Sequence, residues 1–120
     1  MVWFLVDDNL GEHPKTRAAG LPAMGLWAVC GAWSSRYLTD GFVPDWYVRT
    51  WPSGLKYAEI LVFARLWKPS EREGQVGWQF HDWEQANRSR EQVEQEREAH
   101  KQRQKAYRER QRDGERRWYI

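Results

Sequence analysis

The chain has 120 residues, a length that suits one compact domain, and its nine tryptophans supply large apolar groups for a small core. Its single cysteine, Cys30, excludes a disulfide framework and a cysteine zinc site within the chain, and it lies in an apolar stretch typical of a core position. No apolar run approaches the roughly 18 residues of a membrane span, and the start MVWFLVDD turns acidic where a signal peptide stays apolar, so we expect a cytoplasmic protein that avoids membranes.

The first third of the chain predicts a helical scaffold. Residues 3–6 are a short apolar run that predicts an edge strand or an extended arm. A histidine and a proline introduce a short helix over 14–19, and a longer helix is predicted over 21–37. Gly25 and Gly31 inside that helix indicate the close approach of another element. Its apolar residues share one face: Leu26, Val29, Cys30 and Trp33.

The middle of the chain predicts small elements followed by a buried helix. Residues 39–41 predict a turn, residues 42–43 a short strand and residues 46–51 a short helix that a proline ends. Ser53 is expected to cap a helix over 55–66, in which apolar residues recur at helical spacing and cover much of the surface.

A charged turn between two strands follows. Residues 66–67 predict a short strand, and residues 68–74 predict a polar turn that a proline opens and a glycine closes. Val76, Trp78 and Phe80 then alternate with polar or small residues, which predicts a strand with one buried face.

Helix, short strand, short helix, longer helix and two-stranded wing is the order of a winged helix-turn-helix. The sequence therefore predicts an α+β fold, mostly α, with a winged helix-turn-helix domain over residues 1–83 and a charged helical tail over 84–120. The core of the domain is expected to contain five large residues: Trp27, Trp33, Leu61, Trp67 and Trp78.

The tail favours helix by composition, because Glu, Gln, Arg and Lys dominate it and proline is absent. Ion pairs at helical spacing are expected at four places: Glu84 with Arg88, Arg90 with Glu94, Glu94 with Arg97, and Lys105 with Glu109. Ala86, Val93, His100 and Tyr107 recur every seven residues, which predicts either a homodimer through a coiled coil or a single exposed helix.

Charge is divided unevenly between the two parts. Residues 1–83 hold 8 Lys/Arg against 9 Asp/Glu, a net charge of −1, whereas residues 84–120 hold 11 against 8, a net charge of +3. Within the tail, residues 101–117 hold 8 basic against 3 acidic residues, a local +5. A run of this kind attracts polyanions, although solvated tails without a specific partner have similar compositions.

Three stretches carry a resemblance: WFLVDDNLGEHPKTRAAGLPAMGLWAVCGAWSSRYLTDGFVP, ARLWK and GWQFHDWEQANRSREQVEQERE. Over residues 3 to about 98 the chain resembles small proteins of actinobacterial phages and prophages, similar to the N-terminal domains of phage replisome organisers and replication-initiation proteins. The resemblance implies a winged helix-turn-helix that binds DNA in the cytoplasm of a bacterial host. One departure is Arg65-Leu66-Trp67, where members of that family often read GLW.

Together with the resemblance, these features imply a DNA-binding protein that acts in replication initiation or transcriptional control, with duplex DNA and phage or host replication proteins as partners. The alternative is a phage protein-interaction module that binds a host protein through the wing domain or the tail. Lys56 and Tyr57 begin the expected recognition helix, although the middle of that helix lacks the Arg, Asn or Gln that base readout favours. The remaining candidate contacts lie in the wing and the tail: Lys68, Arg72, Arg103, Lys105, Arg108 and Arg110.

No enzyme activity, metal or cofactor is predicted. His81-Asp82 looks like the start of a metal dyad, but no second histidine or carboxylate stands at helical ligand spacing beside it. Glycine-rich phosphate loops and nucleophile elbows are also absent from the sequence.

Overall fold

The computed structural model describes residues 1–87 and 89–118, with side chains as far as residue 114. It is α+β and mostly helical, with one small antiparallel sheet and a long C-terminal helix. A 3₁₀ turn at Leu10–Glu12 precedes nine elements: α1 (Pro14–Ala19), α2 (Leu21–Tyr37), β1 (Phe42–Pro44), α3 (Asp45–Arg49), α4 (Gly54–Phe63), β2 (Trp67–Arg72), β3 (Gln75–Phe80), α5 (Trp83–Ala86) and α6 (Arg90–Trp118).

The chain divides into two compact units. The first, Met1–Ser89, contains every element up to α5, and we call it the globular unit. The second begins at Arg90 and consists of α6. The sequence predicted one helix from residue 84 onward, but an extended residue, Asn87 with φ −124° and ψ 159°, ends α5.

The first two helices begin and end where the sequence predicted. His13 Nδ1 accepts a hydrogen bond from the backbone N–H of Lys15 at 3.1 Å, which caps α1, and Pro14 occupies the first turn. Gly20, with φ 82°, separates α1 from α2. The length of α2 is therefore set by a glycine before it and by left-handed Leu38 after it.

Strand order in the sheet is β1-β3-β2, and both pairs are antiparallel. The strand β2 corrects the sequence prediction, which gave residues 68–74 as a turn. Only Glu73 and Gly74 turn, both with positive φ, and residues 68–72 pair with β3. Pro69 is tolerated because β2 is an edge strand, where one side of the backbone needs no ladder partner.

The helix α4 also differs from its prediction, since it begins at Gly54 and ends at Phe63 rather than spanning 55–66. Arg65 adopts the left-handed conformation, with φ 64°, and the backbone N–H of Leu66 donates to the carbonyl of Leu61 at 2.9 Å. This is the Schellman pattern of helix termination. Ser53 precedes the helix as expected, but its side chain makes no capping hydrogen bond.

The N-terminal arm, residues 3–6, packs against the core through Phe4. These residues form neither a strand nor a helix, and Phe4 stacks on Trp83 with ring centroids 5.6 Å apart. A Cβ added at Gly31 would lie 2.3 Å from the Phe4 ring, so this glycine permits the close approach that the sequence indicated. Gly25 was predicted to do the same, but it has no neighbour within 4 Å of such an atom.

The core of the globular unit lies between α2, α4 and the sheet. Leu61 and Trp67 are fully buried, as predicted, while Trp27 and Trp78 are half-buried and pack against them. Cys30 is also fully buried, and burial raises the pKa of its thiol to about 12. Trp33 is the exception to the predicted core, because it is only half-buried and contacts a group of surface aromatic residues.

Candidate nucleic-acid interface

The predicted recognition helix, α4, presents few groups that read bases. Lys56 is exposed, and its Nζ lies 5.8 Å from the centroid of the Tyr57 ring. Tyr57 is half-buried and packs against the core, so its ring is committed to packing. The exposed face continues with Glu59 and with Phe63, which is 89% exposed. One lysine beside a carboxylate and a phenylalanine gives this face little attraction for phosphate.

The two wing candidates have different environments. Lys68 is exposed on β2, where its ammonium group is accessible. Arg72, at the end of the same strand, is held by the protein itself. Its guanidinium donates to the backbone carbonyl of Thr39 and to Gln79 Oε1, and it lies 5.3 Å from the centroid of the Phe42 ring. Arg72 therefore ties the hairpin to the loop before β1.

Basic residues on α6 form a continuous row. Arg97, Lys101, Lys105, Arg108 and Arg112 are all exposed, at spacings of four, four, three and four residues. At 3.6 residues per turn, these spacings confine the five side chains to an arc of about 80°. The row extends about 22 Å along the helix at 1.5 Å per residue. We call these five residues the basic row.

The four tail residues predicted to bind DNA do not lie together. Lys105 and Arg108 belong to the basic row, whereas Arg103 and Arg110 are about 160–180° away around the helix axis, on the opposite face. All four are exposed. Counting charge along the sequence identified the segment, but only the helical geometry separates these two pairs.

The side chains of the basic row form no ion pairs with the described residues, and the carboxylates of Glu98 and Glu109 flank the row on one side. None of its five side chains has a hydrogen-bond or ion-pair partner among residues 1–87 and 89–114. The expected pair of Arg90 with Glu94 is present at 3.0 Å. Glu94–Arg97 and Lys105–Glu109 are not paired within the described side chains, and Glu84–Arg88 involves a residue outside them.

The predicted heptad face of α6 carries polar contacts. Gln104 Nε2 lies 3.0 Å from His100 Nε2, and Gln111 Nε2 donates to the Tyr107 hydroxyl at 2.9 Å. His100 and Tyr107 are both exposed. The homodimer through this face stays a prediction.

Five aromatic residues form a surface feature that the sequence did not reveal. Their rings come from α2, from α3 and from the residue two positions after α3, and we call them the aromatic face: Trp33, Tyr37, Trp46, Tyr47 and Trp51. Helical spacing predicted Trp33 as a core residue, because a tryptophan on an apolar stripe looks the same whether its outer side meets protein or water. The two pairs spaced by four residues, Trp33 with Tyr37 and Tyr47 with Trp51, were the available signal.

Groups suited to metal binding or nucleophilic chemistry are scarce in the described part of the chain. No group of three or more His, Cys, Asp or Glu residues is placed to hold a metal ion there. His81 Nε2 and Asp82 Oδ2 are 2.9 Å apart and form an isolated surface pair. They border a cavity of about 240 Å³ under the N-terminal arm, whose walls include Phe4, Trp27 and Trp83.

The chain matches no family model, no curated protein and no solved structure. Across residues 1–87 and 89–118, no helix is long and apolar enough to span a membrane. The basic row and the aromatic face are the two most distinctive surfaces of the described residues.

Proposed function

We propose that this chain is a DNA-binding protein of the winged helix-turn-helix class that holds duplex DNA chiefly through the basic row of α6. The observation that carries the proposal is the alignment on one helix face of five exposed cations, none of which has an ion-pair partner among the described side chains. Phage replication initiation or transcriptional control is the setting that the sequence resemblance suggests.

The dimensions of the basic row suit a phosphate backbone. Duplex DNA rises about 3.4 Å per base pair, so a row of about 22 Å faces about six base pairs. Each Lys or Arg that contacts a phosphate releases condensed counterions, which supplies affinity without base reading. An uninterrupted cationic face at this spacing favours backbone binding over sequence recognition.

The globular unit supports the class of protein through the order of its elements. A helix, a strand, two helices and a β-hairpin succeed each other, and β1 pairs beside the hairpin. With 9 Lys/Arg against 10 Asp/Glu, the unit carries a net charge of −1 over residues 1–89. In this proposal the globular unit contributes Lys56 and Lys68 as contacts to the duplex, while α6 provides most of the affinity.

Two double variants with equal charge test the basic row. Lys105→Gln with Arg108→Gln removes two cations from the row, whereas Arg103→Gln with Arg110→Gln removes two from the opposite face. Duplex binding is measured by fluorescence anisotropy across a series of salt concentrations. The row variant should flatten the slope of log K against log[salt] by about 1.8, at about 0.9 per lost phosphate contact.

The opposite-face variant is the control, since it changes the net charge by the same amount. It should keep nearly the parental salt slope. Equal losses in both variants would show diffuse attraction by net charge and would reject the row as a binding surface. Parental duplex affinity in both variants would reject the proposed function.

A second candidate function, a protein-interaction module, is favoured by the exposed apolar groups of α4. Phe63 is 89% and Leu55 37% exposed, so this helix leaves apolar area open to solvent. If both double variants bind duplex like the parent, and Phe63→Ser abolishes binding to a purified host replication protein, this second function takes the place of the first.

A further inference from the structure

The aromatic face forms a connected series of rings. Tyr37 and Trp33 have ring centroids 5.1 Å apart, Trp33 and Tyr47 stack at 5.1 Å, and Tyr47 meets Trp51 edge to face at 6.5 Å. Trp46 stands at 83° to Trp33, with centroids 5.8 Å apart. Rings that meet edge to face keep one π-face free, so this arrangement leaves surfaces open for stacking.

Much of this aromatic area faces solvent. Tyr37 is 56%, Trp46 54% and Trp51 40% exposed, and the rings line a shallow groove of about 900 Å³. The indole N–H of Trp46 donates to Gln75 Oε1 at 3.4 Å, which helps to fix the orientation of this ring. Exposed aromatic groups on this scale are characteristic of a binding surface.

The charges around the groove favour an anionic partner. Arg36 lines it, with its guanidinium 5.7 Å from the centroid of the Tyr37 ring, and no carboxylate is among the lining residues. Arg49 and Asp45, on α3, pair with each other at 3.3 Å and add no net charge. Among the described residues Arg36 has no ion-pair partner, so the groove combines stacking surfaces with an available cation.

We propose that the aromatic face binds single-stranded nucleic acid, with bases stacked on Tyr37 and Trp46 and a phosphate held by Arg36. Every base has a π-face, so aromatic groups beside a cation bind single strands with little sequence preference. This site lies wholly in the globular unit and does not depend on the basic row. It goes beyond the proposed function, which concerns duplex DNA and α6.

Other occupants fit the charge less well. In a two-fold dimer the groove of one copy would face the groove of the other, so the two Arg36 side chains would lie close together with like charge. A proline-rich peptide also binds aromatic grooves, but it supplies no anion for Arg36. Single-stranded nucleic acid provides flat rings and phosphates together.

The test compares two double variants that each remove two exposed rings from the globular unit. Tyr37→Ala with Trp46→Ala changes the aromatic face, and Trp3→Ala with Phe63→Ala changes rings elsewhere, which are 73% and 89% exposed. Binding of a labelled oligothymidylate and a labelled oligouridylate, each of about ten nucleotides, is followed by anisotropy. Thermal melts establish that every variant is folded.

We expect the aromatic-face variant to lose at least about 25-fold in affinity for both oligonucleotides, since it removes two stacking contacts and each weakens binding by fivefold or more. The control variant should bind like the parent. Arg36→Gln should flatten the salt slope by about 0.7, the value for one phosphate of a single strand. The comparison is repeated with Lys105→Gln and Arg108→Gln present, which reduces electrostatic binding by α6.

Three results would overturn the inference. The first is equal oligonucleotide binding by the aromatic-face and control variants. The second is displacement of the oligonucleotide by a proline-rich peptide, and the third is a parental dimer in sedimentation that Tyr37→Ala with Trp46→Ala dissociates. Duplex binding by the row variants bears on the proposed function alone, so the two proposals can fail separately.

Discussion

The globular unit and α6 are stabilised in different ways. The globular unit buries Leu61, Trp67 and Trp83 in a shared core and is nearly neutral. In α6, almost every described side chain beyond Val93 is exposed, and the contacts are local ones such as Arg90 with Glu94. Tertiary packing therefore maintains the first unit, whereas helix propensity and pairs four residues apart maintain the second.

This difference predicts that stability and polyanion affinity can be altered independently. Substitutions in the core should change the free energy of unfolding of the globular unit. Substitutions of exposed cations on α6 should change binding, with stability effects within about 0.5 kcal/mol. Three further predictions challenge or refine this separation.

The largest effect is expected from Trp67→Ala. Trp67 is 2% exposed and contacts Trp78 and Phe80 at centroid distances of 5.9 and 5.3 Å. Removing it leaves a cavity, so the free energy of unfolding should fall by about 3–5 kcal/mol in urea titrations. Trp3→Ala is the control, and a comparable loss in that variant would place the stabilising core elsewhere.

A smaller effect is expected from the ionisation of Cys30 at high pH. Burial raises the pKa of its thiol from 9.0 to about 12, so between these values the unfolded chain releases a proton that the folded chain keeps. This contribution to stability is complete below pH 9 and falls as the pH rises above it. Between about pH 8 and about pH 10 the loss should be roughly 1 kcal/mol.

Cys30→Ala separates this term from the ionisation of other residues, which remain in the variant. The parent should lose roughly 1 kcal/mol more than Cys30→Ala over the same pH interval, measured by urea titration. Equal losses in the two proteins would mean that the thiol ionises alike in the folded and unfolded chains.

The smallest effects come from two backbone substitutions, one in each unit. Arg65 has φ 64° at the end of α4, a position that favours glycine, so Arg65→Gly should stabilise the globular unit by about 0.5–1 kcal/mol. Gly114 lies within α6, and a Cβ added there would have no atom within 4 Å. Gly114→Ala should therefore stabilise the helical conformation at this position by a similar free energy.

The two measurements differ because the two substitutions act at different places. Arg65→Gly should raise the melting temperature of the globular unit, whereas Gly114→Ala should slow amide exchange in α6 and leave that temperature unchanged. A higher melting temperature of the globular unit in Gly114→Ala would show that the two units are energetically coupled.

Helices with strong local signals could be predicted from the sequence. The bounds of α1 and α2 follow from His13, Pro14 and Gly20, whose capping and turn preferences are intrinsic to the residue type. The extended arm was one of two alternatives, because a short apolar run fits an edge strand equally well. Its docking against Gly31 depends on tertiary contacts.

Features that depend on neighbours were missed or misplaced. Pro69 and the charges of β2 resemble a turn, and only pairing with β3 makes this segment a strand. Trp33 was predicted as core because periodicity identifies an apolar stripe without showing what covers it. Composition identifies a positively charged segment, yet Arg103 and Lys105 lie on different faces of α6, which a charge count does not distinguish.

The N-terminal arm also sets an order of events during synthesis. The backbone N–H of Leu5 donates to Asn87 Oδ1 at 2.8 Å, a contact between residues 82 positions apart. At translation rates of about 5–20 residues per second, Leu5 precedes Asn87 by about 4 to 16 s. During that interval Phe4 can meet Trp27 and Gly31 but has neither Phe80 nor Trp83 to pack against. The contacts of the arm with Trp83 and Asn87 can therefore form only after α5 has been synthesised.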